Sequence, residues 1–156
     1  MRAPLVAVIG GSSCTSAEAG WAAAVGRLVA AGGAVLVCGG LGGVMEAAAR
    51  GAKEAGGLTV GILPGDDGVA ANPHIDVAIA TGMGEMRNAL LVRTAGAVIA
   101  IGGGWGTLSE IALARRIATP VVGLHDAFTA AVDIPRVERP EDAVAWALEQ
   151  ARRPEV

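Results

Sequence analysis

The stretch at residues 97–110, AVIAIGGGWGTLSE, constrains the fold more than any other part of the sequence. It begins with an apolar run at residues 98–101, and a run without a polar face is typical of a parallel strand covered on both sides. The glycines that follow are Gly102, Gly103, Gly104 and Gly106. A helical pattern begins near Thr107. A strand, a glycine turn and a helix in this order present backbone N–H groups to an anion, so we predict a phosphate-bearing ligand.

Two further predicted strands also end in small-residue turns. The strand at residues 5–9 is followed by Gly10, Gly11, Ser12 and Ser13, and the strand at residues 34–38 is followed by Gly39 and Gly40. The carboxyl ends of parallel strands meet at one edge of a sheet, and such sheets bind their ligands there. We therefore expect the three turns to form one ligand site.

Strands and helices alternate along the whole chain. Further strands are predicted at residues 58–63, 75–79 and 120–124, and helices at residues 16–31, 44–55, 82–94, 107–117 and 140–152. Thr15 and Glu18 have the spacing of a capping box, and Pro140 suits the first turn of a helix. The alternation predicts one α/β domain over residues 1–156, with a Rossmann-like, doubly wound, mostly parallel sheet and helices on both faces.

Composition and charge argue against several classes of partner. The net charge is −3, the basic residues are scattered, and the chain has one Phe, three Trp and no Tyr, so we expect no nucleic acid. The mean hydropathy is +0.53, yet no apolar run reaches the roughly 18 residues of a membrane span. Met1 leads directly into the first strand without a signal peptide, so we expect a cytoplasmic protein. The two histidines lack partners at metal-ligand spacing, so no metal is expected.

Three other features bear on the ligand site. Cys14 and Cys38 are too few for a disulfide framework, and we interpret both as reduced packing residues beside the glycine turns. The irregular stretch at residues 64–74 is of the kind that often covers a site.

Arg87 and Asn88 lie in an otherwise apolar helix. Arg87 is either a solvated surface residue or a cation that faces the ligand.

Thr107 and Glu110 allow two interpretations. In the first, they form a capping box at the start of a helix. In the second, Thr107 binds a phosphate and Glu110 directs its carboxylate at a sugar or a water. The spacing of the two residues does not distinguish these alternatives. No Ser-His-Asp arrangement can be assigned, so a covalent hydrolase is disfavoured.

The octapeptide GGWGTLSE, from Gly103 to Glu110, resembles the G-G-x-G-T-x-x-E signature of the LOG superfamily, Rossmann-like proteins long mislabelled lysine decarboxylases. The pentapeptide GEMRN, which holds Arg87 and Asn88, resembles the partner motif of that superfamily. Its cytokinin-activating members are phosphoribohydrolases, which cleave the N-glycosidic bond of nucleoside 5′-monophosphates. For an enzyme of this type, the resemblance implies that Arg87 and Glu110 are the catalytic pair and that Thr107 and the glycine turn hold the 5′-phosphate.

Two departures from those enzymes are closer to the branch that contains molybdenum cofactor carrier proteins. Ile101 and Gly102 precede Gly103 where the hydrolases have Pro-Gly, and Asn88 follows Arg87 where they have lysine. The resemblance thus implies a binding protein for a phosphorylated pterin-like or nucleotide-like ligand, molybdenum cofactor included. A phosphoribohydrolase is the alternative, and a regulatory nucleotide sensor is a third.

The resemblance also implies a homodimer and a ligand contact for Trp105, which lies in the glycine turn. An apolar helical face with Leu90, Leu91, Leu113 and Ile117 supplies either the subunit interface or part of the core. The sequence does not distinguish these two roles.

Overall fold

The computed structural model describes residues 2–125 and 132–153. Its strands are β1 (Leu5–Gly10), β2 (Val35–Cys38), β3 (Thr59–Leu63), β4 (Val77–Ala80), β5 (Ala97–Ile101), β6 (Val121–Leu124) and β7 (Arg136–Val137). Its helices are α1 (Ser16–Ala31), α2 (Val44–Glu54), α3 (Arg87–Thr94), α4 (Trp105–Arg116) and α5 (Pro140–Ala151). A 3-10 turn, Gly84–Met86, leads directly into α3. No helix of the described ranges is long and apolar enough to cross a bilayer.

The described strands form one seven-stranded sheet in the order β4-β3-β2-β1-β5-β6-β7. Each neighbouring pair is parallel, with Val8 of β1 opposite Ile99 of β5 at the centre. The predicted Rossmann-like, doubly wound α/β fold is confirmed, and the sheet is wholly parallel where it had been expected to be mostly so. The chain winds outward from β1 in one direction through β2 and in the other through β5. The crevice of such a sheet lies at this reversal, beyond the carboxyl ends of β1 and β5.

Two apolar layers cover the sheet. Helices α1, α2 and α5 pack on one face, where Val25 and Val144 are buried with the side chains of β1 and β5. Helices α3 and α4 pack on the other face, where Leu91 and Ile111 are buried. The apolar runs of the inner strands are explained by this double cover, because both faces of each strand are shielded from water.

Helices α1 and α2 touch through their backbones. A Cβ atom added to Gly26 would collide with the carbonyl oxygen of Ala48, and one added to Gly51 would collide with that of Ala23. Each helix therefore contributes one glycine to the crossing, and any larger residue at either glycine would push the helices apart.

Most predicted element boundaries agree with the structure to within two residues. Helix α1 has the predicted bounds, and the predicted capping box is present: Glu18 N–H donates to Thr15 Oγ1 at 3.1 Å and Thr15 N–H to Glu18 Oε1 at 3.3 Å. Pro140 lies in the first turn of α5, as predicted. Two elements differ from the sequence analysis: the helix expected at residues 82–94 is α-helical only from Arg87, after a 3-10 turn, and β7 was not predicted.

Candidate functional site

A cavity of about 900 Å³ lies at the carboxyl edge of the sheet. The lining residues lie at or after the carboxyl ends of β1, β2, β3, β5 and β6 and in the first two turns of α1, α2, α3 and α4, with one in the 3-10 turn. The lining residues are Gly10, Gly11, Ser12, Ser13, Thr15, Glu18, Trp21, Leu41, Met45, Pro64, Glu85, Arg87, Asn88, Gly102, Gly103, Gly104, Gly106, Thr107, Glu110 and His125. Its volume is sufficient for a ligand the size of a nucleotide.

The N-terminus of α4 is open toward this cavity. Its N-cap is Gly104, which has no side chain to cap the helix, and the first N–H groups of any helix lack partners within the helix. The start of α1 is closed instead, because Thr15 and Glu18 cap it reciprocally. Of these two helix starts, only that of α4 lacks a side-chain cap among the described residues, so it presents the first-turn N–H groups of Gly106 and Thr107 and the positive end of its dipole to an anion. We call Gly102, Gly103 and Gly104, with this first turn of α4, the glycine cradle.

The cradle has a backbone shape that side chains would not permit. Gly102 and Gly103 have φ of +55° and +108°, values that other residues rarely adopt. A Cβ atom at Gly103 would also collide with the Thr107 side chain, and one at Gly102 would collide with the Glu18 carboxylate. Glycine at both positions therefore keeps the space in front of α4 clear.

The capping-box interpretation of Thr107 and Glu110 was wrong. Helix α4 begins at Trp105, two residues before the predicted start, and no side chain of the described residues caps it. Thr107 thus lies inside the first turn and Glu110 in the next, both on the cavity wall. The N-cap position is occupied by Gly104, which has no side chain, so Thr107 and Glu110 do not form a capping box and can contact a ligand.

Glu110 is a buried acid beside a buried cation. Its residue is 7% exposed, and burial raises the pKa of its carboxyl to about 7, although the nearby positive charge of Arg87 opposes this rise. No direct ion pair or hydrogen bond joins the Glu110 carboxylate to any residue in ranges 2–125 and 132–153. At neutral pH, Glu110 is therefore partly protonated and available to a ligand.

Arg87 is held in place from two sides. It is 8% exposed, its Nη1 donates to Asn88 Oδ1, and its Nη2 donates to the carbonyl oxygen of Gly39 at 3.4 Å. Its Nε–H has no hydrogen-bond partner among the described residues. A buried donor without a partner is costly, and a ligand oxygen at the cavity would relieve that cost. Of the two roles considered for Arg87, the solvated surface residue is therefore excluded.

The structure brings most of the predicted site residues to this cavity. Gly39 and Gly40 are exceptions, since both are buried behind the lining: Gly39 contacts the Arg87 guanidinium, and Gly40 N–H donates to Cys38 Sγ at 3.4 Å. Trp105 is the other exception. Its residue is 79% exposed and does not line the cavity, although its neighbours Gly104 and Gly106 do.

The cysteines lie where packing residues were expected. Cys38 is fully buried, and burial raises the pKa of its thiol to about 11, against the opposing effects of the Gly40 N–H and the Arg87 charge. Cys14 is half-buried, and burial followed by the negative charge of Glu18 raises its thiol pKa. Both thiols are free. The described part of the chain contains no group of three metal-ligating side chains.

The sequence analysis did not identify several lining residues. Trp21 and His125 are the most informative, because their rings are stacked with centroids 4.2 Å apart and planes 14° from parallel. One signal for His125 was available: it directly follows the predicted strand at residues 120–124, so it was bound to lie at the edge that carries the site. Of the stretch at residues 64–74, only Pro64 lines the cavity, while Asn72 anchors the stretch to Leu41 through a 2.9 Å hydrogen bond.

Comparison with known proteins places the chain among several relatives. The sequence model of the SLOG cluster4 family matches residues 3–152. An uncharacterized protein of Archaeoglobus fulgidus is 43% identical over 149 residues, which cover 95% of this chain and 97% of that protein. The molybdenum cofactor binding protein of the phototrophic bacterium Rippkaea orientalis is 37% identical, with a TM-score of 0.86 over 94% of this chain and 96% of that one. The molybdenum cofactor carrier protein of Chlamydomonas reinhardtii is 32% identical, with a TM-score of 0.83 over 96% of this chain and 98% of that one.

Proposed function

The chain belongs to the SLOG cluster4 family, and from this we propose that it binds a phosphorylated pterin-like or nucleotide-like ligand and acts as a molybdenum cofactor carrier. Two structural relatives are described as a carrier and a binding protein for that cofactor. The LOG-type motif at the start of α4 supports the same class of ligand. In this proposal the cofactor is cargo, bound and released unchanged.

The observation that carries the proposal is the open N-terminus of α4 beside a buried arginine. The glycine cradle offers backbone N–H groups, and Thr107 adds a hydroxyl that lines the same cavity. Arg87 supplies a charge and an Nε–H without a partner among the described residues. These are the donors that a phosphate group requires, so the residues fit the phosphate end of a phosphorylated pterin.

The proposal is tested by purifying the protein from a host that synthesises molybdenum cofactor. After oxidation and chromatography, we expect a fluorescent pterin in amounts approaching one per chain. Thr107→Val, which keeps the side-chain volume but removes the hydroxyl, and Arg87→Met should both lose most of the pterin. Ser109→Ala is the matched control, because its hydroxyl bonds to Gly106 O on the same helix and does not line the cavity. A folded parent protein that retains no pterin and shows no thermal shift with ribose 5-phosphate would refute the proposal.

A second function is favoured by one observation, the raised pKa of Glu110 beside Arg87. A carboxyl that titrates near 7 is suited to general acid–base catalysis, and here it would orient a water or stabilise an oxocarbenium-like ribose. The protein would then be a nucleoside 5′-monophosphate phosphoribohydrolase. Chromatography of reactions with a panel of nucleoside 5′-monophosphates tests this alternative. Release of free base by the parent but not by Glu110→Gln would make hydrolysis the primary function.

We also propose that the protein forms a homodimer through the surface of α3 and α4. Of the four candidate interface residues, Leu91 is buried in the core and Leu113 packs against it. Leu90, in α3, and Ile117, directly after α4, remain 40% and 37% exposed. A second copy of the chain docked on this surface would remove both apolar side chains from water.

A further inference from the structure

The stacked rings of Trp21 and His125 form a wall of the cavity that the phosphate proposal does not use. Trp21 projects from α1 and is partly buried against the core, while His125 follows the end of β6. Both rings line the cavity, and they lie 4.2 Å apart in nearly parallel planes. This is the geometry of an offset aromatic stack, to which a further flat ring can add.

His125 has an unusual backbone conformation and makes two contacts with residues 137 and 138. Its φ is +48°, in the left-handed region that non-glycine residues rarely occupy. Its backbone N–H donates to Val137 O at 3.3 Å, and its Nδ1 lies 3.0 Å from Glu138 Oε2. Unusual backbone conformations that neighbouring contacts maintain are concentrated at functional sites.

The stack lies on the other side of the glycine cradle from Arg87. Along the sheet edge, Pro64 follows β3, Arg87 bonds to Gly39 at the end of β2, the cradle follows β5 and His125 follows β6. Neighbouring strands are about 4.8 Å apart, so the cavity extends over roughly 19 Å between the ends of β3 and β6. Trp21 and Arg87 also come from helices on opposite faces of the sheet. A ligand whose phosphate lies in the cradle thus has a polar wall on one side and an aromatic wall on the other.

We propose that Trp21 and His125 form a ring-binding subsite, on which the planar heterocycle of the ligand stacks while its phosphate occupies the glycine cradle. This inference rests on the proposed phosphate site and adds to it the group that selects among phosphorylated ligands. Phosphate contacts alone do not distinguish a heterocyclic ligand from a sugar phosphate. Stacking on an aromatic side chain distinguishes them, because it strengthens binding roughly 5-fold or more for each base.

The test compares two probes by isothermal titration calorimetry. GMP carries a phosphate and an aminopyrimidinone ring of the kind also present in pterins, and ribose 5-phosphate carries the phosphate and sugar without the ring. We expect the parent protein to bind GMP more tightly than ribose 5-phosphate. Trp21→Leu, which keeps an apolar side chain against the core, and His125→Asn, which suits a positive φ, should each weaken GMP binding roughly 5-fold or more. Binding of ribose 5-phosphate should change less than about 2-fold, because this probe has no aromatic ring to stack on either side chain.

Two control variants separate stacking from a merely structural effect. Trp21→Phe retains a ring and should recover most of the GMP affinity. Trp146→Leu removes a tryptophan that packs against the same core but does not line this cavity, so both affinities should stay at the parent values.

The possible failures are distinguishable. If Trp21→Leu binds GMP as tightly as the parent, or if both probes weaken alike, the ring subsite is refuted. If the parent binds both probes equally, the ring subsite is refuted while the phosphate site stands. If the folded parent binds neither probe, the phosphate site fails and the ring subsite fails with it.

Discussion

Arg87 Nη2 donates to the carbonyl oxygen of Gly39 at 3.4 Å, which joins the first residue of α3 to the turn that ends β2. The two residues are 48 positions apart in sequence. The contact explains why Gly39 is buried behind the cavity wall: its carbonyl orients the cation that lines the cavity. The predicted glycine turn after β2 therefore contributes to the site through Arg87.

Arg87→Lys should weaken ribose 5-phosphate binding about 10-fold or more, although the charge is kept. A lysine has a single nitrogen and would not reach Asn88, Gly39 and a ligand with the fixed geometry of a guanidinium. Calorimetry at pH 7.5 measures the change. Arg93→Lys, on the exposed surface of the same helix, should bind like the parent. Equal affinities of Arg87→Lys and the parent would contradict the proposed role.

Glu110 should make the free energy of unfolding depend on pH. Its pKa is about 7 in the folded chain against an ordinary 4.5, so the folded state holds a proton that the unfolded state has released between these values. Stability should fall as pH rises from about 4.5 to 7 and then level off, by roughly 3 kcal/mol in total. Urea unfolding of the parent and of Glu110→Gln measures this effect. The free energy of unfolding of the parent minus that of the variant should decrease over that pH range. A difference that is constant with pH would show that Glu110 does not titrate in this way.

Gly103→Ala should destabilise the protein by about 1–3 kcal/mol and abolish phosphate binding, because its positive φ and the Thr107 side chain both exclude a Cβ atom. Gly106→Ala is the matched control on the same loop and helix. Apart from its own helix and chain neighbours, no atom of the described residues lies within 4 Å of the added Cβ, and alanine favours a helix by up to about 1 kcal/mol over glycine. Thermal denaturation should lower the Tm of the first variant and leave that of the second unchanged or higher. Similar Tm values for the two would contradict the described shape of the cradle.

The proposed homodimer should be broken by charge on the surface of α3 and α4. The double variant Leu90→Glu with Ile117→Glu places like charges on both sides of a two-fold interface, where each buried carboxylate is costly. Sedimentation velocity should show a dimer for the parent and a monomer for the variant. Val69→Glu is the control, since Val69 is 88% exposed and outside both helices. A monomeric parent at micromolar concentration would refute the dimer.

The fold could be predicted from sequence because its signals are local. The buried strands contain uninterrupted apolar runs, and the capping residues Thr15 and Glu18 mark the start of α1. Strand β7 lacked such a signal: it has two residues, Arg136 and Val137, and is defined by its pairing with β6. The start of α4 was misplaced for a related reason, because Gly104 caps the helix without a side chain.

The sequence analysis identified the residues of the glycine cradle but not the stacked rings on the other wall of the cavity. Gly102, Gly103 and Thr107 follow β5 closely in the sequence, so their proximity in space could be predicted from the order of the chain. Trp21 and His125 come from distant elements, and nothing in the spacing of their residues indicates a contact. Their stack depends on β7, the strand that the sequence analysis missed, because Val137 holds the backbone of His125.

The close crossing of α1 and α2 at Gly26 and Gly51 affects how the protein can change during evolution. Since α1 and α2 meet through backbone atoms at these points, the separation of the two helices there does not depend on which aliphatic side chains fill the surrounding core. Core substitutions can accumulate without moving the loops that precede α1 and α2, and those loops carry Ser12, Ser13 and Leu41 to the cavity. The cavity wall can thus change at residues such as Trp21, whereas a larger residue at either crossing glycine would collide with the backbone of the other helix.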